Sequence, residues 1–409
     1  MKLNIFYRQG ALEILAIAVN IANTVIMMVA LELPIFAAFV LANSYGAILE
    51  SLVKLRQETK FILVGGYINI EFGYKIKVYR YNMSVIITFL LLLFFLIGSI
   101  FLYNINEWIY FATASAVCAT LTSYRSVVFS IKGDHIASTA YAIKVNSAIL
   151  MANSLVIFLT TEISVALLLT IKLVITIMVF LLTVDSVIIS SLKYITRNMT
   201  LSYFLRRLHK VDLAYYVSSV NLSMLIALPT ILIEQVMGQK ILNGIVIVKG
   251  VLDTVYKLFP AIFTPYILSG RLLTSEVLAR SAAGKIMCKK NIYFVFSFCG
   301  LFLVMGLFSY QILPIVLLIL KKEQLTDFYP SLIRLSMLVS LTLVSFNLFV
   351  REQPRHLIGS KSTVACLIFI CSTFLMYALN VNLLDSLNFG YLFVNAYLFK
   401  TVYLKYKTY

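Results

Sequence analysis

The chain has 409 residues, of which 61% are hydrophobic and only 12% are charged, yet its formal net charge is +17. So little polar surface cannot cover a globule of this size, which excludes a soluble nucleic-acid-binding protein despite the positive charge. Apolar runs recur along the whole sequence, and each is close to the roughly 20 residues that a helix needs to cross a bilayer. The composition therefore predicts an all-α integral membrane protein.

Twelve membrane spans are predicted in chain order. The first follows Lys2 and Arg8 and continues without a cleavage site of small residues, so we expect it to be retained rather than removed as a signal peptide. Short turns follow the first, third and fifth spans, and longer basic loops follow the second, fourth and sixth. The predicted spans lie near residues 11–30, 34–53, 84–103, 108–128, 142–160, 163–184, 213–236, 241–268, 292–318, 331–350, 363–379 and 386–403.

Basic residues concentrate in alternate loops. The N-terminus, the even-numbered loops, the C-terminus and the span ends that adjoin them hold 27 of the 34 Lys and Arg residues, whereas the odd-numbered loops hold only Lys240, Lys321 and Lys322. Basic loops stay in the cytoplasm. The pattern therefore predicts that both termini are cytoplasmic and that the number of spans is even.

The longest basic loop, near residues 185–212, separates six predicted spans from six others. Two halves with the same span number and orientation are typical of transporters built from parallel repeats. We therefore predict an N-terminal six-helix lobe over residues 1–200 and a C-terminal six-helix lobe over residues 201–409.

The predicted eighth span carries three charges, Lys249, Asp253 and Lys257. Their spacing of four residues places them on one helical face. A charge near the bilayer centre costs about 2.5–3.5 kcal/mol on insertion scales, so this face must meet a watery cavity or polar groups on other helices. It is either a packed ladder of ion pairs that holds helices in register or a cationic wall that lines a cavity.

Other charges in predicted spans favour a cationic cavity. Lys172 lies in the middle of the sixth span, while Glu234 and Arg334 lie near outer span ends, where snorkelling to the interface explains them equally well. Cations outnumber carboxylates in the interior, which favours an anionic cargo. The predicted cavity residues are Lys172, Lys249, Asp253, Lys257 and Arg334, and the residues predicted to couple transport to an ion are Asp253 and Glu234.

Proline and asparagine residues occur in the same spans. Pro229, Pro260 and Pro265 are expected to bend the seventh and eighth spans, which serves a gate but is also common in membrane helices. Four span asparagines either bind cargo or join neighbouring helices: Asn20, Asn23, Asn43 and Asn221. Glu50 and Arg125 lie near inner span ends, where proximity to the interface is the preferred explanation.

The sequence offers no catalytic constellation. Its three histidines, His135, His209 and His356, lie in predicted basic loops without a nucleophile or metal cluster beside them, and no Gly-rich phosphate loop precedes a helix. We therefore predict that the chain is not an enzyme and has no catalytic residue, metal site or cofactor. The short outer loops argue against a membrane glycan polymerase.

The combined pattern resembles a known family. Six plus six spans, cytoplasmic termini, a basic central loop and buried cations are similar to the Wzx-type O-antigen flippases of the multidrug/oligosaccharidyl-lipid/polysaccharide exporter superfamily. The second span, from Leu33 to Asn43, also leads through Ala47 to Arg56 into a basic loop, as is common in these flippases.

The resemblance implies two lobes that rock between inward-open and outward-open states. It implies a transporter of the bacterial inner membrane that takes part in lipopolysaccharide biosynthesis, and a cargo of undecaprenyl-diphosphate-linked oligosaccharide moved from the cytoplasmic to the periplasmic leaflet. Its cationic cavity residues would be Lys172, Lys249 and Lys257. The expected partners are the anionic lipid, an H+ or Na+ coupling ion, and polymerase and chain-length proteins of the same pathway, but no nucleic acid. The alternatives are a cation-coupled multidrug exporter and a membrane glycan polymerase.

Overall fold

The computed structural model describes most of the first half of the chain and part of the second. The described residues are 2–53, 72–103, 106–131, 135–160, 162–183, 213–237, 304, 311, 329–353 and 355–407. The predicted spans near 241–268 and 292–318, with Lys249, Asp253, Lys257, Pro260 and Pro265, lie outside this set apart from the isolated positions 304 and 311.

Long helices account for almost all of the described residues, which contain no strand. The ten helices are α1 (Lys2–Ala30), α2 (Leu33–Val53), α3 (Phe72–Phe101), α4 (Glu107–Ile131), α5 (His135–Leu159), α6 (Val165–Leu182), α7 (Leu213–Met237), α8 (Tyr329–Glu352), α9 (Arg355–Ala378) and α10 (Leu383–Lys407). Each of them contains most of one predicted span. The all-α prediction is thus confirmed for the described residues, while the total of twelve spans and the cytoplasmic termini stay predictions.

The surface of the helices is apolar, as a lipid environment requires. Large apolar side chains such as Phe94, Phe158 and Leu182 are exposed by 74%, 84% and 86%. Among the helices that the structure describes, five are long and apolar enough to cross a membrane. A soluble protein rarely shows such extended apolar patches, so the chain is a multi-pass membrane protein.

The helices pack in two groups that follow the order of the chain. Helices α1 to α6 contact one another, and so do α7 to α10, while the main contact between the two groups joins α2 to α7. At this contact the Tyr216 hydroxyl donates to the carbonyl oxygen of Leu52 at 2.8 Å. The predicted division into lobes over 1–200 and 201–409 stays a prediction.

Glycine allows helices to approach closely at two places. A Cβ atom added at Gly46 on α2 would lie 2.5 Å from the Ser115 Cβ on α4. A Cβ added at Gly390 on α10 would collide with Thr373 on α9 and would lie 2.9 Å from a ring carbon of Phe369. Small residues at such crossings are how membrane helices gain van der Waals contact without a hydrophobic driving force.

Polar side chains define where several helices begin and end. The Asn106 side chain accepts a hydrogen bond from the Trp108 backbone N–H at 3.0 Å, and Ser164 accepts one from Leu167 at 3.2 Å, so α4 and α6 both start at capped ends. After α9, Asn380 adopts a left-handed conformation with φ of 63°. The backbone N–H groups of residues 380 and 381 then bond back into the last turn of α9, as in a Schellman motif.

Candidate functional site

Lys172 lies in the first helix group, seven residues after the start of α6. Its Nζ atom donates a hydrogen bond of 2.7 Å to the side-chain Oδ1 of Asn43 on α2. The same oxygen accepts a bond of 2.8 Å from the Ser115 hydroxyl on α4, and the Lys172 ammonium lies 5.5 Å from the centre of the Phe39 ring. We call Lys172, Asn43, Ser115 and Phe39 the Lys172 site.

The amide of Asn43 is fixed in one orientation by its neighbours. Its Nδ2 group donates to the carbonyl oxygen of Phe39 at 2.7 Å, so Oδ1 is left to accept from the ammonium and the Ser115 hydroxyl. The close α2–α4 crossing at Gly46 brings Ser115 within reach of this oxygen. Three helices therefore combine to hold one ammonium group at a defined place.

The ammonium has polar partners, but its charge is not neutralised by any carboxylate that the structure describes. An ion pair within 4.0 Å joins Arg334 and Asp385 instead. Lys172 is only partly exposed, and a charge in a low-dielectric setting attracts counter-charges over longer distances than one in water. An anionic ligand is thus favoured at the Lys172 site.

Arg334 occupies a different setting on α8. Its guanidinium bonds the Asp385 carboxylate of α10 and the Ser331 hydroxyl, both at 3.2 Å, and its side chain is 53% exposed. Asp385 also accepts from Ser331 and Asn382, at 2.8 and 2.7 Å. Arg334 therefore has a carboxylate and a hydroxyl as partners near a helix end, and its predicted place in a cavity remains a prediction.

Glu234, the described member of the predicted ion-coupling pair, lines a pocket of about 330 Å³. The pocket lies at the ends of α2, α4, α6 and α7 that the charge pattern predicts to face away from the cytoplasm, which we call the outer ends. We name it the Trp108 pocket, and its walls include Ala38, Tyr103, Glu107, Trp108, Phe111 and Glu234. The Glu234 carboxylate also accepts from the side-chain amide of Gln235 at 2.9 Å.

Aromatic rings hold the Trp108 side chain in place. The ring of Phe111 lies 5.5 Å from it between centres and that of Tyr45 lies 6.0 Å from it, both edge to face. Such pairs add about 0.5–1.5 kcal/mol beyond burial. The indole is therefore a rigid wall of the pocket.

The span asparagines have different surroundings, and cargo binding by any of them stays a prediction. Asn23 accepts from Asn153 on α5 at 2.9 Å, and Asn221 donates to Ser362 on α9 at 3.1 Å. These two join neighbouring helices, and only Asn43 takes part in the Lys172 site. Asn20 is exposed on α1.

Several residues of these sites were not expected from the sequence. Ser115 has no charge or motif that distinguishes it in the sequence, and Glu107 lies in the short turn between two predicted spans. Trp108 is notable only as the single tryptophan. Glu50 and Arg125 are both buried inside their helix group, with the Arg125 guanidinium 4.8 Å from the centre of the Phe129 ring. Their proximity to the interface stays a prediction.

The charged side chains at these sites can act as binding groups. In the part of the chain that the structure describes, no three His, Cys, Asp or Glu side chains come together as metal ligands would. Lys172, Glu107 and Glu234 instead offer separate positive and negative binding groups.

Comparison with known proteins shows structural likeness at low sequence identity. No protein-family model matches the chain, and no curated protein matches it. The chain is similar to an outward-facing multidrug resistance MATE family transporter of the MOP superfamily, at 14% identity and a TM-score of 0.52, over 98% of this chain and 94% of that one. A variant of the Vibrio cholerae MATE transporter VcmN gives 12% identity and a TM-score of 0.57, over 98% of this chain and 95% of that one.

A third solved structure is a MOP superfamily transporter from Pyrococcus furiosus, for which a binding pocket of reversed polarity suggests a different function. It matches at 14% identity and a TM-score of 0.50, over 98% of this chain and 95% of that one. All three likenesses extend over nearly the whole length of both chains. The chain therefore has the fold of the MATE family transporters of the MOP superfamily.

Proposed function

We propose that this chain is a membrane transporter that moves an anionic lipid-linked saccharide, in particular an undecaprenyl-diphosphate-linked oligosaccharide such as an O-antigen repeat unit. The cargo passes from the cytoplasmic to the periplasmic leaflet of the bacterial inner membrane. The two helix groups alternate between states that are open to one side and then to the other.

The observation that carries this proposal is the environment of Lys172. Its ammonium bonds a neutral amide oxygen at 2.7 Å, and no described carboxylate is within ion-pair distance. A buried cation is costly to maintain, and a purely structural role would be served better by a paired charge or an apolar residue. If the ammonium pairs with a diphosphate of the cargo, cargo binding explains why this costly charge is kept.

The packing of the helices supports movement of two bodies. Contacts within α1 to α6 and within α7 to α10 are more numerous than those between the groups, where α2 and α7 provide the main connection. Contacts between two helices can reorganise in domain motions of transporters. The likeness to MATE family transporters is consistent with such a motion.

The test of the proposal is genetic and uses one matched control. Deletion of the gene in its source bacterium is expected to remove surface glycan and to accumulate lipid-linked saccharide in the cytoplasmic leaflet. The wild-type gene and Lys144→Gln should restore both, because Lys144 is an exposed cation on the neighbouring helix α5. Lys172→Gln should restore at least about tenfold less, since a hydrogen bond to a charged group is worth about 1.5–3 kcal/mol.

Two results of this experiment contradict the proposal. One is an unchanged surface glycan in the deletion strain. The other is full restoration by Lys172→Gln at normal protein levels, which would show that the ammonium does not hold the cargo.

A cation-coupled multidrug exporter is the second candidate, and two observations favour it. A solved structure of the same fold is a multidrug resistance transporter, and the Trp108 pocket combines aromatic rings with Glu107 and Glu234, which suits an organic cation. Efflux of a cationic dye such as ethidium from proteoliposomes separates the candidates. Efflux that is lost in Glu234→Gln and kept in Lys172→Gln supports the exporter.

A further inference from the structure

The Trp108 pocket has the composition of a site for a polyhydroxylated ring. Tyr103, Trp108 and Phe111 give it apolar ring surface, while Glu107 and Glu234 provide carboxylate oxygens that accept hydrogen bonds. The C–H faces of a sugar pack on aromatic rings while its hydroxyl groups donate to fixed acceptors. A few polar groups that converge on an aromatic surface are typical of small-ligand sites.

The pocket lies close to the Lys172 site along the same three helices. Lys172 follows Val165 by seven residues, Asn43 follows Ala38 by five and Ser115 follows Phe111 by four. Val165, Ala38 and Phe111 all line the pocket. At a rise of 1.5 Å per residue, the two sites are therefore about 6–11 Å apart along the helix axes, a distance that a diphosphate with an attached sugar can cover.

We propose that the Trp108 pocket binds the sugar next to the diphosphate of the cargo and that it accepts neutral and N-acetylated sugars while rejecting acidic ones. This inference rests on the proposed function, because a diphosphate bound to Lys172 brings the sugar attached to it into the Trp108 pocket. The two carboxylates accept hydrogen bonds from sugar hydroxyls, but they repel the carboxylate of a uronic acid, because the nearby Lys172 ammonium is already paired with the diphosphate. Rejection by an unmatched charge is an efficient source of specificity.

A free organic cation is the rival occupant, and the nearby Lys172 disfavours it. A cation in the pocket gains from Glu107 and Glu234 but is repelled by the ammonium of the Lys172 site, which lies about 6–11 Å further along the helix axes. Charges in a low-dielectric setting still interact over such separations. A ligand with an anionic end and a neutral ring satisfies both sites together. The saccharide therefore fits the two charges better than a cation does.

Trp108 makes the inference directly measurable because it is the only tryptophan in the chain. Its fluorescence can be recorded for the full chain in lipid nanodiscs during titration with millimolar cellobiose, N,N′-diacetylchitobiose, digalacturonic acid or tetraethylammonium. We expect a saturable change with a neutral disaccharide and binding of digalacturonic acid that is at least about tenfold weaker.

A double variant tests the role of the carboxylates. Glu107→Gln combined with Glu234→Gln should reduce the preference for the neutral disaccharide to about threefold or less, which is a loss of at least about 0.7 kcal/mol of discrimination at 1.4 kcal/mol per tenfold. Glu162→Gln is the matched control, since it removes an exposed carboxylate next to α6 that does not line the pocket. The unfolding temperature of each variant shows whether the fold is kept.

The possible results separate this inference from the proposed function. No fluorescence change with any disaccharide, or equal binding of the acidic one, overturns the inference; if surface glycan still depends on Lys172, the proposed function stands. Saturable binding of tetraethylammonium alone overturns the inference and supports the multidrug exporter. An unchanged preference in the double variant shows that the carboxylates do not select the sugar.

Discussion

Lys172 and Arg334 are both cations in predicted spans, but the structure gives them different surroundings. Arg334 is half exposed at a helix end, where a carboxylate and a hydroxyl satisfy it within one turn of α8 and the start of α10. Lys172 lies two turns inside α6 with an amide oxygen as its acceptor. The first arrangement neutralises a charge, whereas the second positions a charge and leaves it available.

This difference teaches that depth alone does not identify a binding cation. Exposed ion pairs contribute about 0–1 kcal/mol to stability and need no functional explanation. A positioned, unneutralised ammonium reduces stability, and proteins commonly accept such a cost at functional sites. The counter-ion distinguishes the two cases, and the following predictions test that distinction.

The largest effect is expected from filling the close helix crossings. Gly46→Leu and Gly390→Leu should each lower the free energy of unfolding by about 2–3 kcal/mol because the new side chains overlap their neighbours. If only the Lys172 region holds cargo, transport per folded molecule should fall in Gly46→Leu and be kept in Gly390→Leu. Thermal unfolding and glycan restoration measure the two quantities, and equal losses of transport would remove the functional contrast.

A counter-ion placed beside Lys172 should reproduce the Arg334 arrangement inside the helix group. Asn43→Asp puts a carboxylate where the amide oxygen lies 2.7 Å from the ammonium, so the site becomes neutral and anionic cargo loses its partner. We expect glycan restoration to fall at least about tenfold, with the unfolding temperature unchanged or raised. Asn43→Ala removes the acceptor without adding charge and should cause a smaller loss; the reverse order would contradict the electrostatic explanation.

Removal of the Lys172 charge should stabilise the protein while it abolishes function. Lys172→Met keeps most of the length of the side chain and removes the desolvated ammonium, so we expect the free energy of unfolding to rise by about 1–2 kcal/mol. Denaturation in detergent micelles measures this change, with Lys144→Met as the control at an exposed position. A large decrease in stability would instead assign Lys172 a structural role.

Removal of the Arg334 charge should have a small effect of opposite sign. Arg334→Gln breaks an exposed ion pair and should lower the free energy of unfolding by less than about 1 kcal/mol, with transport nearly unchanged. The same two assays apply. A loss of transport comparable to that of Lys172→Gln would return Arg334 to the set of cargo-binding residues.

The smallest effect concerns pH. Asp385 precedes the predicted span at 386–403. Burial by itself raises the pKa of its carboxyl group. Hydrogen bonds from Ser331 and Asn382, together with the positive charge of Arg334, outweigh burial and hold the pKa below its ordinary value. A lowered pKa means that the ionised carboxylate stabilises the folded state above about pH 4 and that this contribution is lost as the pH falls through the lowered pKa. The difference in unfolding temperature between the wild type and Asp385→Asn should therefore vanish in acid; a constant difference would exclude ionisation as its cause.

The helices were more predictable from the sequence than their ends. Hydropathy located each described span, but α3, α5 and α9 begin 12, 7 and 8 residues before the predicted spans near 84, 142 and 363. These extensions contain lysine, arginine or histidine. A hydropathy pattern detects only the part that suits lipid, whereas helical hydrogen bonds continue through polar residues wherever the backbone allows.

The site was predictable in its charge and not in its partners. Lys172 was identifiable because a lysine in the middle of an apolar run is costly. Its acceptor, Asn43, is 129 residues away in sequence, and Ser115 is 72 residues from Asn43. A single sequence holds no signal that pairs such residues, so three-helix sites of this kind appear only when the helices are packed.

The contribution of Glu234 by α7 has a consequence for the direction of transport. The other pocket walls named here come from the first helix group and the turn between α3 and α4, so the Trp108 pocket is complete only while α7 lies against them at the outer end. In the proposed transport cycle, separation of the two helix groups at the outer end would divide the pocket and lower its affinity for the saccharide as the pocket opens to the outside. A ligand that binds more tightly to the closed arrangement is then released by the same motion that exposes it. The affinity of the pocket and its access to the outer side therefore change together, and no separate release signal is needed.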